Sequence, residues 1–310
     1  MNNYIMKGRI GQFGNNLIQA SNGLILAAKN KGKFTLPEHI RDVVRPLTAD
    51  FSDGAENLPD IKNNFWDIWS GRQDNYHGFV QIKAFDNIYE VEKLRPDVLR
   101  NFILPAIPSP TTPIKCGKEH KDVSEYDVVA HVRGDDKFVL NGKRHVVQPG
   151  DVQCPFSYFI KIFKDFNYNN ILVVYQDDHN PVMKKLKSCK DFNLHFQSSS
   201  LLNDVNTILH AKNFIISGHT SFSRLLMQTS TNVEQIFVPY LELMDNFPFF
   251  NFDSECIKPK VHKLFHHNYM SWGGENGWKN QQDQYDLMLN YEESNIQYIN
   301  TYEDSKAWTG

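Results

Sequence analysis

The chain has 310 residues, 41% hydrophobic and 22% charged, with a formal net charge of −3. That length supports two domains and a substantial core, and the near-neutral balance supplies no basic face for nucleic acid. No apolar run reaches the length of a membrane span and Met1-Asn2-Asn3-Tyr4 does not open a signal peptide, so a soluble, cytoplasmic chain with no transmembrane segment is expected. The four cysteines (Cys116, Cys154, Cys189, Cys256) are scattered and read as reduced thiols rather than a zinc site or a disulfide frame.

Tyr4-Ile5-Met6 reads as a short strand running into Gly8-Arg9-Ile10-Gly11-Gln12-Phe13-Gly14-Asn15-Asn16. Leu17, Ile18, Leu24, Ile25, Ala27 and Ala28 then recur at helical spacing, which predicts a helix over about 15–30. Lys31-Gly32 stops it, and Phe34-Thr35-Leu36-Pro37 reads as the next strand. A strand, a glycine turn, a helix and a strand are the opening of a dinucleotide-type fold. Residues 41–47 are expected to be helical up to Pro46, 79–82 to form a strand, and 91–102 to hold a helix after Pro96. Pro105, Pro108, Pro110 and Pro113 resist helix and strand alike, so 105–117 reads as a linker.

Beyond the linker the pattern becomes regular. Strands are predicted at 128–132, 171–175, 194–196, 213–216 and 235–238, the last being the final strand. Helices are predicted between them at 157–164, 181–190, 204–211 and 220–228. Such alternation implies a parallel sheet with helices on both faces. The tail beyond about 253 is polar and aromatic, with a helix expected near 285–291.

Four constellations fall at strand ends or helix starts, where open α/β sheets bind ligands. The first is Gly11-x-Phe13-Gly14-Asn15-Asn16-Leu17-x-Gln19; its glycines allow close backbone approach, but Gly8-x-x-Gly11-x-x-Gly14 is not the Rossmann spacing, so nicotinamide binding is disfavoured. The second is His131-Val132-Arg133-Gly134-Asp135-Asp136, where an apolar strand ends in His-x-Arg-x-x-Asp. An arginine there suits a phosphate because its planar fork binds oxygens bidentately; a polar turn with a surface ion pair is the plainer alternative. The third is Asp204, early in a helix, either a cap or a partner for a base or ribose. The fourth is Ile215-Ile216-Ser217-Gly218-His219-Thr220-Ser221-Phe222-Ser223, where helix N–H groups and hydroxyls converge on a place suited to a diphosphate; a well-capped helix would need only one of those hydroxyls.

Gly11 to Gln19 resembles the Gly-x-Leu/Phe-Gly-Asn-Gln-Leu-Phe-Gln opening of the α-1,2-fucosyltransferase family, and His131 to Asp136 resembles the His-x-Arg-Arg-x-Asp motif shared by α-1,2-, α-1,6- and protein O-fucosyltransferases. Residues 171–178 are similar to that family's strand ending in Ser-Asp-Asp, and Asp204 with 216–223 to its closing Asp … Ile-x-x-Ser-Ser/Thr-Phe-Ser element. These matches come in family order over roughly residues 5–240. The resemblance implies an α/β protein of the GT-B type, with two Rossmann-like lobes and a nucleotide-sugar cleft between them. Residues 1–110 would form the acceptor-side lobe, 118–252 the nucleotide-sugar lobe, and 253–310 a tail returning to the first lobe. It further implies metal-independent, inverting transfer from GDP-fucose to a glycan hydroxyl. Arg133 would stabilise the departing GDP, while His131 and Asp136 hold the nucleotide and that arginine. Asp204 would touch guanine or ribose, Thr220, Ser221, Phe222 and Ser223 would cradle the phosphates, and Gly14 and Asn15 would close from the first lobe.

Two departures bear on the site. The second motif arginine is Gly134, and the tryptophans that follow Phe-Ser in the family are Arg224-Leu225. Arg224 either restores the missing charge or faces solvent. No general base is identified, with Glu38, His39, Asp53 and Asp60 as candidates that equally suit a plain surface. Asp177-Asp178 read as turn residues rather than a metal pair. His262, His266 and His267 have the i, i+4 spacing of a metal site but lack an accompanying acid, which favours a solvated surface. Phe65, Trp66 and Trp69, or Phe247-Pro248-Phe249-Phe250, are candidates to stack an acceptor sugar, with packing as the commoner role. The same fold with another nucleotide-sugar donor, or a glycan- or nucleotide-binding module without turnover, are the alternatives.

Overall fold

The computed structural model describes residues 3–6, 12–29, 31–52, 94–109, 115–116, 121–134, 138–140, 143–144, 153–218, 220–240, 259–269 and 280–299. The strand expected at 79–82, the aromatic stretches at 63–69 and 247–250, and Asp53, Asp60, Asp135, Asp136 and His219 lie outside them. The chain divides into two units: Met1–Ser109 with Arg224–Thr231 and Asn251–Lys258, and Pro110–Ser223 with Asn232–Phe250 and Pro259–Gly310. The first break falls within the proline-rich 105–117 stretch.

In the first unit, β1 (Asn3–Ile5) leads to α1 (Phe13–Lys29), which returns the chain to β2 (Lys33–Leu36), parallel to β1. Phe13, Leu17, Ala20, Leu24 and Ala28 are all buried, a stripe at helical spacing. The helix closes as the sequence suggests, with Gly32 N donating to Ala27 O at 2.8 Å and Lys31 N to Ala28 O at 3.2 Å. Lys31 itself takes the left-handed conformation, φ 46°. A β-carbon is disfavoured there, so Lys31→Gly is expected to stabilise the chain by about 1 kcal/mol, read as a shift in the denaturation midpoint. An unchanged or lowered midpoint would contradict this account of the cap.

The helix expected at 41–47 does not form. Arg41 and Asp42 both have positive φ (48° and 59°), and Ile40 N donates to Val44 O at 2.9 Å, closing a tight turn. Proline at 46 then favours extended backbone before it, and β3 (Leu47–Asp50) pairs antiparallel with β2. Residues 94–98 are helical and include Pro96, so the helix does not wait for that proline. It widens into a π turn at Leu99–Ile103 and tightens into a 3₁₀ turn at Leu104–Ala106. Buried Arg95 donates to Asn22 Oδ1 at 2.9 Å and to Ser21 Oγ, tying this helix to α1.

The second unit begins with two small strands, β4 (Lys115–Cys116) and β5 (Lys121–Asp122), paired antiparallel. β6 (Val128–Val132) is buried at every position, as a central parallel strand requires. A second small antiparallel pair, β7 (Val139–Leu140) and β8 (Lys143–Arg144), precedes α2 (Phe156–Asp165). The chain then alternates through β9 (Asn170–Tyr175), α3 (Pro181–Ser188), β10 (Asn193–Gln197), α4 (Leu201–Leu209), β11 (Asn213–Ile216), α5 (Ser221–Thr229) and β12 (Gln235–Tyr240).

The chain continues past the strand expected to be last. β13 (Lys260–His266) lies parallel to β12, α6 (Gln282–Asn290) follows, and β14 (Ile296–Ile299) pairs antiparallel with β13. The tail expected to return to the first lobe therefore supplies, over 259–299, two strands and a helix of the second unit.

The seven-stranded sheet has the order β10-β9-β6-β11-β12-β13-β14, parallel except at β14. Numbered by appearance, its six parallel strands run 3-2-1-4-5-6, the doubly wound Rossmann-like order. The chain reverses direction across the sheet between β6 and β11, so a crevice opens beyond their carboxyl ends. One face is sealed by α2, α3 and α6, with Tyr158, Phe159, Ile162, Phe163, Val182 and Met288 fully buried against the strands.

Candidate functional site

Two of the expected constellations meet at the switch between β6 and β11. His131 is the fourth residue of β6 and lies level with Ile216 at the end of β11. Arg133 is the first residue beyond β6, and Ser217 the first beyond β11. Arg133 N donates to Ser217 Oγ at 3.1 Å, and Arg133 O accepts from Asn180 Nδ2 at 2.9 Å. The side chain of Arg133 is half-buried at this edge.

His131 does not stand at the mouth of the sheet. It is buried at 7% exposure, with Nδ1 sharing a 2.6 Å hydrogen bond with Ser223 Oγ. Its ring lies tilted against Phe222, centroids 5.1 Å apart. Burial, with the nearby charge of Arg133 as the smaller cause, lowers its pKa to about 3, so the imidazole is neutral. His131 and Ser223 thus join the start of α5 to β6, with Ser223 fully buried.

Thr220 and Ser221 open α5, with Ser221 half-buried. Thr220 is 4% exposed, and its Oγ1 has no hydrogen-bond partner among the described residues. Gly218, with φ 70°, needs the freedom that glycine has, and its N–H donates to Cys154 Sγ at 3.1 Å. Burial raises the Cys154 thiol's pKa, so it stays protonated and supports the loop from below. The start of α5, the buried Thr220 hydroxyl and the half-buried Arg133 side chain thus belong to the same edge of the sheet.

The structure gathers His131, Arg133, Thr220, Ser221, Phe222 and Ser223, and sets Asp204 apart from them. Asp204 lies in the first turn of α4, capped instead by Ser200, and its Oδ1 accepts from Gln197 Nε2 at 2.9 Å and Ser199 Oγ at 2.7 Å. Burial raises its pKa, while those hydrogen bonds pull it down. It belongs to the β10 end of the edge, two strands or ~10 Å from β6. Gly14 and Asn15 stand in the first turn of α1 in the first unit, Gly14 buried and Asn15 half-buried. Arg224 is 2% exposed, which removes the solvent-facing alternative.

Gly134 has a cause in the structure. It is buried, and a Cβ there would lie 2.9 Å from Asp177 Cγ and closer still to Oδ1. That carboxylate is fixed in a turn, accepting from His179 N at 2.8 Å, with His179 Nδ1 at 3.1 Å. Gly134→Ala is therefore expected to destabilise the chain by about 1–3 kcal/mol, with most of the penalty removed when Asp177→Gly is added. Denaturation of the four proteins of this cycle checks it; an equal penalty with and without Asp177 would contradict the contact.

The histidine cluster is also reassigned. His262 and His266 lie on β13, where i, i+4 residues are far apart along a strand rather than adjacent on a helix. His262 Nε2 bonds Gln235 Oε1 at 2.9 Å, and its ring stacks on Phe237. His266 is buried among Tyr158, Tyr269 and Tyr291, and burial lowers its pKa to about 3. Among the described residues no three histidines, cysteines or carboxylates cluster as metal ligands, and no helix is long and apolar enough to cross a membrane. Glu38 and His39 are exposed in the turn after β2.

Asn180 is the residue that sequence reading passed over, and Asp177, read as a turn residue, is one whose contact with Gly134 was not foreseen. Asn180-Pro181 is a cap followed by proline at the first helical position, a legible start signal for α3 that says nothing of the contact with Arg133. Compared with known proteins, the chain matches no family model, no curated protein and no solved structure.

Proposed function

We propose that the chain is an inverting, metal-independent glycosyltransferase of the GT-B type that moves fucose from GDP-fucose to a hydroxyl of a glycan acceptor. The observation that carries this reading is the convergence of Arg133 and the start of α5, with its buried Thr220 hydroxyl, at the switch point of a doubly wound sheet. Donors gathered there suit a diphosphate.

In the proposed reaction an acceptor hydroxyl oxygen attacks the anomeric carbon of fucose as the bond from that carbon to the β-phosphate oxygen breaks. The electron pair of the breaking bond leaves on GDP, and the acceptor's proton passes to a base or to water. Negative charge grows on the leaving diphosphate, and preorganised donors aimed at such charge are usually the largest catalytic contribution. Arg133 supplies a fixed positive charge and the first turn of α5 supplies N–H groups. Neutral, buried His131 takes no proton in this scheme; it holds Ser223 and hence the helix start. Asp204 is assigned to a hydroxyl or N–H of the nucleoside, farther along the same edge.

The test is release of GDP from GDP-fucose by the purified chain, with and without glycan acceptors and with EDTA present throughout. Acceptor-dependent release that survives EDTA supports the proposal, and no release with any acceptor opposes it. One observation favours a second reading. The Asp177 carboxylate packed over Gly134 places negative charge where the family motif carries its second arginine. That change suits a module that binds the nucleotide without turning it over, for which GDP would bind but GDP-fucose would persist.

A further inference from the structure

We infer that Asn180, together with Ser217, is a positioning residue for Arg133; the inference rests on the reading of Arg133 as the group that meets the diphosphate. A residue one step past the end of a strand has lost its ladder partners and is free to swing. The displacement grows along a side chain as long as arginine's. Arg133 escapes this because both of its backbone polar groups are held by side chains from other segments. Its N–H goes to Ser217 Oγ on the β11 side at 3.1 Å, and its C=O accepts from Asn180 Nδ2 at 2.9 Å, on the side of β9 and α3.

Asn180 is 1% exposed and uses both ends of its amide, since Oδ1 also accepts from Val182 N at 3.0 Å as the cap of α3. Capping alone is served about as well by serine or aspartate. Among these caps only asparagine carries its acceptor and its donor on separate atoms, Oδ1 for Val182 N and Nδ2 for Arg133 O. Ser217 is 1% exposed, and the next residue, Gly218, is tied to Cys154 at the entry to α2, so the acceptor for Arg133 N is itself fixed. The residues of the clamp lie 47 and 84 positions from Arg133 in the chain, and both contacts depend on the folded sheet.

The test uses Asn180→Ser, which keeps a capping oxygen on a shorter side chain and removes the amide N–H that reaches Arg133 O, and Ser217→Ala, each made in the native chain and in Arg133→Ala. GDP affinity is measured by calorimetry, and amide exchange at Arg133 and Val182 by NMR. The inference predicts roughly tenfold weaker GDP binding for each variant in the native chain and less than a twofold change in Arg133→Ala, because a positioning residue acts only through the side chain it positions. It also predicts at least tenfold faster exchange at Arg133 in Ser217→Ala, with Val182 unchanged. Equal losses in both backgrounds would mean a merely structural role and would overturn it, as would no loss in either. If the native chain binds no GDP, the proposed function fails separately and exchange alone decides: faster exchange confined to Arg133 upholds the clamp, and unchanged exchange overturns it.

Discussion

Arg133→Ala is expected to lower transfer from GDP-fucose by about a thousandfold or more while leaving the fold intact. The size follows from the role: a single donor aimed at developing charge contributes about 10²–10³ in rate, and an arginine on a transferring phosphoryl group more. The fold survives because the clamp on residue 133 is made by its backbone, which alanine retains, and because the side chain is only half-buried. Turnover and the thermal midpoint measured on the same preparation separate the two effects. Near-native turnover would remove Arg133 from the mechanism, and a collapsed midpoint would make it a folding residue. Arg133→Lys is expected to recover only part of the rate, since an ammonium keeps the charge and loses the bidentate fork.

Mild acid is the second condition expected to have a large effect. His131 and His266 are both fully buried, and burial lowers each pKa to about 3 in the folded chain. In the unfolded chain each returns to about 6.5. Below that value the unfolded state binds protons that the folded state refuses, so stability is full above about pH 6.5 and falls as pH drops toward 3. Each histidine contributes a slope of about 1.4 kcal/mol per pH unit, so the pair weakens the chain by about 3 kcal/mol per unit in the middle of that window. Against a typical stability of about 5–15 kcal/mol, the second unit is expected to unfold well before pH 3. Asp204 works the other way lower in the range, because burial raises its pKa and the folded chain takes that proton more readily. Denaturant melts at pH 7.5, 6.0, 5.0 and 4.5 check the prediction. A flat profile would mean that both imidazoles bind protons in the folded chain as readily as in the unfolded one.

How far the sequence reaches depends on which contacts make each element. β6, β9, β11 and β12 are legible because each is a short apolar run bounded by turn residues, the signature of a strand buried on both faces. β13 escapes the same reading because Lys260, His262, Lys263 and His266 interrupt its apolar residues, and its histidines mimic a helical spacing. β3 is hidden by Pro46 and by left-handed Arg41 and Asp42, a turn that no composition rule identifies. The meeting of Arg133 with the start of α5 is legible in part because both polar runs directly follow strands of a parallel sheet, whose carboxyl ends share one edge. The buried state of His131 was not, since its partner Ser223 lies 92 residues away, and neither was the seat of Asp177 over Gly134. The Asn180 clamp was equally hidden, because a side chain bonded to a distant backbone leaves no trace in local sequence pattern.

The most direct measurement of the central claim is a thermal-shift comparison of GDP, GDP-fucose, UDP and CDP, each with and without EDTA, on the native chain and on Arg133→Ala. A ligand at a hundred times its dissociation constant adds about 2.7 kcal/mol to a folded state that alone binds it, a shift of several degrees for a domain of this size. The account predicts that GDP and GDP-fucose raise the midpoint selectively, that EDTA leaves the shift intact, and that Arg133→Ala removes most of it. A shift with UDP or CDP in place of GDP, a shift that vanishes with EDTA, or no shift with any nucleotide would contradict it.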